Sequence, residues 1–121
     1  APDQDYGRKQ CVFAPFFGIP ASTVTATGRF AQLGSARVIP FTQVRLPGSR
    51  GYQVTIHPPL EGFPTGDDMV DATRINALVE TFIREQPDQY LWAHRRFKTR
   101  PTGEPSLYPW ERRRKRKRRD V

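Results

Sequence analysis

DDMVDATRINALVETFIREQ, residues 67–86, declares its structure more plainly than any other stretch of the chain. Ile75, Leu78, Val79, Phe82 and Ile83 fall at i, i+3, i+4, i+7 and i+8, which puts them in one apolar stripe along a helix. Asp67 and Asp68 stand at its start, and Asp71 follows Asp68 by three. That placement caps free amides and suits the positive end of the helix dipole. Pro87 ends the helix, because its ring and missing N–H cannot continue the ladder. A stripe of this width needs an apolar surface to lie against, and the flanking sequence has to supply it.

Upstream, residues 11–17 (CVFAPFF) form an apolar run bounded by polar residues and Gly18, the pattern of a buried strand. Pro20 then occupies a first helical position, and a helix is expected from there to Gly34. Ala21, Val24, Gly28 and Ala31 recur at helical spacing, although the threonines and Gly28 are weak helix formers. Small residues on one face would let that helix lie close against a sheet. Residues 36–46 read as a second strand, interrupted by Pro40. PGSRG at 47–51 is a turn, and Tyr52, Val54 and Ile56 then alternate with polar residues as in a half-buried strand. The two strands predict a hairpin. The order strand, helix, strand, strand, helix predicts the α/β class, here a partial sandwich of one layer on another.

With 121 residues the chain has room for one small domain, and 36% hydrophobic content leaves its core thin. The net charge is +8, but its location matters more than its size. Residues 112–119 read RRRKRKRR, and outside that run 12 Lys and Arg face 12 Asp and Glu. The fold is therefore neutral and the basicity belongs to a tail. The division expected is a domain over residues 1–108 followed by a basic low-complexity tail over 109–121, read as disordered. No apolar run reaches the length of a membrane-spanning helix. The single Cys11 is too little for a zinc site, and neither a metal nor a cofactor is expected.

Three segments carry candidate chemistry. In PDQDYG, residues 2–7, Asp3 and Asp5 stand one residue apart just before the first strand. They can orient a base, bind a metal or engage a substrate, or they can cap a turn; spacing alone favours the turn. His57 and His94 are the only histidines, and five positions on stand Gly62 and Thr99, not carboxylates. Each reads as a structural, hydrogen-bonded histidine. HRRFKTR, residues 94–100, sets Arg95, Arg96, Lys98 and Arg100 around Phe97, after Tyr90 and Trp92. Guanidinium forks suit phosphates and carboxylates, while pairing with acids of the preceding helix is the equal alternative.

Taken in order, PDQDYG, VFAPFFGIPAST, ARVIPF, GYQVTIHPPLE, QYLWAHRRFKTRP and GEPSLY resemble the C-terminal half of the lipid A biosynthesis acyltransferases. The resemblance runs from Pro2 to Tyr108. It implies an α/β acyltransferase fold and transfer of a fatty acyl chain from acyl carrier protein to a Kdo-bearing lipid A precursor. It also implies work at the cytoplasmic face of the bacterial inner membrane, among its lipids. In that family a His-x4-Asp/Glu pair supplies the general base and the acid that orients it. This sequence contains no such pair, so the resemblance implies a missing N-terminal half as partner and an inactive chain in isolation. By position it makes Asp3 and Asp5 supporting catalytic residues. It makes Arg95, Arg96, Lys98 and Arg100 substrate-binding, toward phosphates, Kdo carboxylates or carrier-protein acids.

Two other classes compete. A small basic nucleic-acid-binding module would explain the RRRKRKRR run, but the neutral body and the lack of a recognition motif make nucleic acid an unlikely partner. A non-catalytic interaction fragment would share every fold signal.

Overall fold

The structure, a computed structural model, describes residues 1–111. Two β-hairpins and two α-helices alternate along the chain. Strands β1 (Cys11–Phe16) and β2 (Ile19–Val24) precede helix α1 (Ala26–Leu33). Strands β3 (Phe41–Arg45) and β4 (Tyr52–Ile56) precede helix α2 (Asp68–Glu85), which a short 3₁₀ turn (Pro87–Gln89) follows. The α/β class is the one expected. The element order carries one strand more than expected.

That additional strand is β2, which corrects the reading of residues 20–34 as one helix. Phe17 and Gly18 have φ of 48° and 74°, and this left-handed pair turns the chain within two residues. β2 then runs back antiparallel along β1, pairing Phe16 with Ile19 and Cys11 with Val24. Opposite Phe16 and Ile19, hydrogen-bonded pairs alternate with unbonded ones, so Pro15 and Pro20 meet at an unbonded position. Neither proline costs the ladder a donor. The β-branched Thr23, Val24 and Thr25 favour this extended form over a helix. Helix α1 begins only at Ala26, after the N–H and the hydroxyl of Thr25 have both bonded the carbonyl of Gln10 at 3.1 and 3.2 Å.

The small face foreseen on α1 exists, but it lies against α2 instead of a sheet. Gly28 and Ala31 are its buried residues. A Cβ on Gly28 would stand 3.0 Å from Oδ2 of Asp71, so glycine sets the distance between the helices. Arg29 and Asp68 tie the same two helices at the surface, 2.7 Å apart.

α2 occupies the residues predicted for it. Asp67 caps it, its Oδ1 accepting the N–H groups of Met69 and Val70 at 2.9 and 3.1 Å. Asp71 turns instead to Thr65, taking its N–H at 2.9 Å and its hydroxyl at 2.8 Å. The buried face is rotated from the expected stripe toward a polar flank. Ile75 and Ile83 are buried beside Asp71, Ala72 and Asn76, whereas Leu78, Val79 and Phe82 are only partly covered. Asn76 explains the rotation. Its Nδ2 donates to Pro15 O at 3.1 Å and Thr23 Oγ1 at 2.9 Å, fastening α2 across the first hairpin.

β3 and β4 form the predicted hairpin, with Phe41 opposite Ile56 and Arg45 opposite Tyr52. The expected half-burial of β4 does not hold. All five of its residues are exposed, Ile56 at 74%, because among the described residues nothing packs on the outer face. The first strand of this pair is also shorter than the predicted 36–46, starting only after Pro40. Phe16, Ala21 and Ile83 make the core, with Phe17, Val79, Tyr90 and Phe97 packed against it. Residues 109–111 form a helical turn; the basic run at 112–119 and its expected disorder lie outside the described residues.

Candidate active-site groove

Between the partly covered face of α2 and the β3 segment lies a groove of about 600 Å³. Val38, Phe41, Leu78, Val79 and Phe82 make its wall apolar, and Asp3 and Tyr90 also line it. Burial first, then the neighbouring Asp3, hold the Tyr90 phenol well above the usual tyrosine range. Tyr90 and Asp3 therefore stand together at the groove.

The two aspartates have different surroundings. Asp5 is occupied on both oxygens. Its Oδ2 accepts the N–H of Thr99 at 2.6 Å, and its Oδ1 accepts the Thr99 hydroxyl at 2.8 Å and the Gly7 N–H at 2.9 Å. The backbone N–H of Asp5 in turn donates to Nε2 of His94 at 3.0 Å. Segment 2–7 is therefore stitched to segment 94–100, and the stitching leaves Asp3 toward the groove. Both histidines are structural, as read. His57 lies 3.0 Å from Thr42 Oγ1 and stacks on Phe82 at 4.5 Å.

The four basic residues of HRRFKTR do not form one patch. Arg96 is 2% exposed, with Nη1 on the Ser22 carbonyl at 2.6 Å and Nη2 on Thr23 Oγ1 at 3.0 Å. Its guanidinium carbon sits 5.2 Å from the Phe16 ring centre. Burial lowers its pKa, against which the fields of Tyr90, Asp5, Asp3 and Tyr108 act. Arg100 is also buried, donating to the Pro20 carbonyl at 2.7 Å and pairing with Glu104. Arg95 pairs with Glu111. Lys98 is exposed, and no ion pair reaches it among the described residues. Sequence reasoning did not single out Tyr90 or Asn76 as site residues. Tyr90 had a signal, an aromatic in the QYLW run, but nothing in the spacing linked it to Asp3.

Among the described residues no His, Cys, Asp and Glu side chains gather as a metal site, and no helix is long and apolar enough to cross a membrane. A capped helix, a two-strand turn into a small-residue helix, and an acidic segment stitched to a basic one beside an apolar groove make up a small α/β module. The bacterial lipid A biosynthesis acyltransferase family matches residues 1–99, and the chain belongs to that family. Over 109 residues it is 47% identical to the lipid A biosynthesis palmitoleoyltransferase of Escherichia coli K12, covering 89% of this chain and 35% of that protein. The lauroyltransferase of the same organism is 44% identical over 109 residues, again 89% of this chain and 36% of the relative. The myristoyltransferase is 34% identical over 107 residues, 88% and 33% of the two chains. The chain thus spans about a third of the length of the curated relatives it matches.

Proposed function

We propose that this chain is the C-terminal portion of an enzyme that transfers a fatty acyl group from acyl carrier protein to a lipid A precursor. The observation that carries the proposal is the family match over residues 1–99. The apolar groove supports it: a wall of Val38, Leu78, Val79 and Phe82 suits an acyl chain. Asp3, which lines the groove beside Tyr90, is the supporting carboxylate of this reading. Asp5 serves the site by holding that segment in place through Thr99.

The family resemblance implies a general base from a segment carrying His-x4-Asp/Glu; His57 and His94 are both engaged structurally, and neither has a carboxylate five positions on. Of the four basic candidates, Lys98 is the one positioned to meet phosphate or carboxylate groups of substrate or carrier protein. Arg95, Arg96 and Arg100 assist by shaping the segment from which it projects. Family membership also supports work at the cytoplasmic face of the bacterial inner membrane.

The test is a chimera. Residues 1–111 replace the matching segment of the Escherichia coli lauroyltransferase, and acyl transfer to a lipid A precursor is assayed. Transfer by the chimera, with none from the chain alone, is expected. A chimera that folds by circular dichroism yet transfers nothing, or a chain active alone, overturns the proposal.

A further inference from the structure

On β3, residues that bond across to β4 alternate with residues that do not. The Leu46 N–H reaches Gly51 O at 2.8 Å and the His57 N–H reaches Pro40 O at 2.9 Å, which makes the even-numbered residues the bonded ones. The N–H and C=O of Arg45 therefore point away from β4, toward the open edge of the sheet. A side chain fills that edge. Gln89 Oε1 accepts the Arg45 N–H at 2.7 Å, and Gln89 Nε2 donates to the Arg45 carbonyl at 3.1 Å. A primary amide carries a donor and an acceptor side by side, as a peptide edge does, so Gln89 pairs with β3 in the manner of a further strand.

The amide is held from a fixed base. Gln89 closes the 3₁₀ turn, its N–H on Gln86 O at 3.1 Å, and Trp92 Nε1 bonds the carbonyl of Pro87 in the same turn at 2.6 Å. Both Gln89 and its neighbour Tyr90 line the groove. Toward the other end of β3, His57 lies 3.0 Å from Thr42 Oγ1 and stacks on Phe82 of α2 at 4.5 Å. The groove between β3 and α2 is thus fastened at two places, by an aromatic stack and by an amide pair. The length of the Gln89 side chain sets how far this end of β3 stands from the corner that follows α2.

We propose that Gln89 is a specificity-determining positioning residue: its amide pair with Arg45 latches β3 at a fixed distance from α2, so the groove admits a single unbranched alkyl chain and rejects broader apolar groups. The inference rests on the reading of this groove as an acyl-chain site. Gln89 touches no reacting atom in this account; it governs the width of the ligand admitted. Loss of both bonds frees that end of β3 to move outward, and a broad ligand gains more from the added room than a narrow one.

Lauric acid and 1-adamantaneacetic acid have the same number of carbons and one carboxyl each, and differ in width. Titration calorimetry measures the affinity of the full chain for both, below the micelle concentration of lauric acid. The parent should bind lauric acid roughly tenfold more tightly than the cage acid. Gln89→Met keeps the length and bulk of the side chain without its amide. With an unchanged circular dichroism spectrum, it should bring the two affinities to within about twofold of each other. Gln89→Glu, ionised, keeps an acceptor for the Arg45 N–H and loses the donor; its ratio should fall between, and it decides the matter if Gln89→Met does not fold. A ratio equal to the parent's in a folded variant overturns the latch and leaves the groove reading standing. A parent that binds the two acids equally, or does not bind lauric acid, overturns the latch too, and the chimera assay then judges the transfer reading separately.

Discussion

Arg96 donates from Nη1 to the carbonyl of Ser22 at 2.6 Å, which places a guanidinium, 2% exposed, at the centre of a fold with little core to spare. No carboxylate pairs with it directly among the described residues. Its charge is balanced by a carbonyl, a hydroxyl, the Phe16 ring face and the more distant Asp3 and Asp5. Arg96→Ala is expected to cost about 3 kcal/mol, since it leaves buried acceptors unmet and opens a cavity. Arg96→Met should be milder than Arg96→Lys, because methionine fills the volume without burying a charge that cannot span the same acceptors. Urea midpoints rank the three; an Arg96→Ala chain as stable as the parent would contradict the burial.

The β1–β2 turn makes a sharper test of the fold. Gly18 has φ of 74° and nothing within 4 Å of where a Cβ would be, so alanine there meets only backbone strain. Gly18→Ala should lose about 1 kcal/mol. Were the Gly18 backbone at negative φ, the same change would be stabilising, so the sign of the midpoint shift in thermal or urea unfolding decides.

Tyr90 gives the chain an alkaline limit. Its phenol pKa is raised in the folded state above the ordinary value of about 10, so the unfolded chain loses this proton first as pH rises. The stability from the raised pKa is complete below about pH 10 and declines as pH climbs from there toward the folded value. Tyr90→Phe should flatten that decline. Unfolding curves taken between pH 9 and pH 11, roughly bracketing the unfolded value, compare the two slopes. Equal slopes would mean the phenol is not held by burial and Asp3.

Much of this architecture was legible in the residues. α2 was readable because its apolar spacing, its Asp67 cap and Pro87 agree, and the β3–β4 hairpin because PGSRG separates two strand-like runs. β2 was not, since Pro-Ala-Ser-Thr is also how a helix begins. Only the left-handed pair Phe17–Gly18, a property of backbone angles, decides for the turn. The candidate site was legible in part. Asp3 and Asp5 were found together, but their separation into a groove residue and a staple depends on Thr99, 94 positions from Asp5. Likewise HRRFKTR reads as a charged surface strip, and burial of Arg96 and Arg100 follows from carbonyls contributed by β2. The outer face of β4 failed in the other direction: its alternation promised a cover that no described residue provides.

The bonds from Thr99 to Asp5 also impose an order in time. Two groups so far apart along the chain pay a large loop-closure entropy unless the hairpins and α2 have already drawn them together. The contact therefore forms after the rate-limiting step of folding and is among the first broken on the way out. Asp5→Ala should leave the refolding rate nearly unchanged while speeding unfolding roughly tenfold or more, as expected of an interaction absent from the transition state. Stopped-flow rates on both arms measure this, and a slowed refolding arm would instead make the union of the two segments the nucleus. As a late contact, it makes the positioning of Asp3 the last part of the groove to be assembled and the first to be given up.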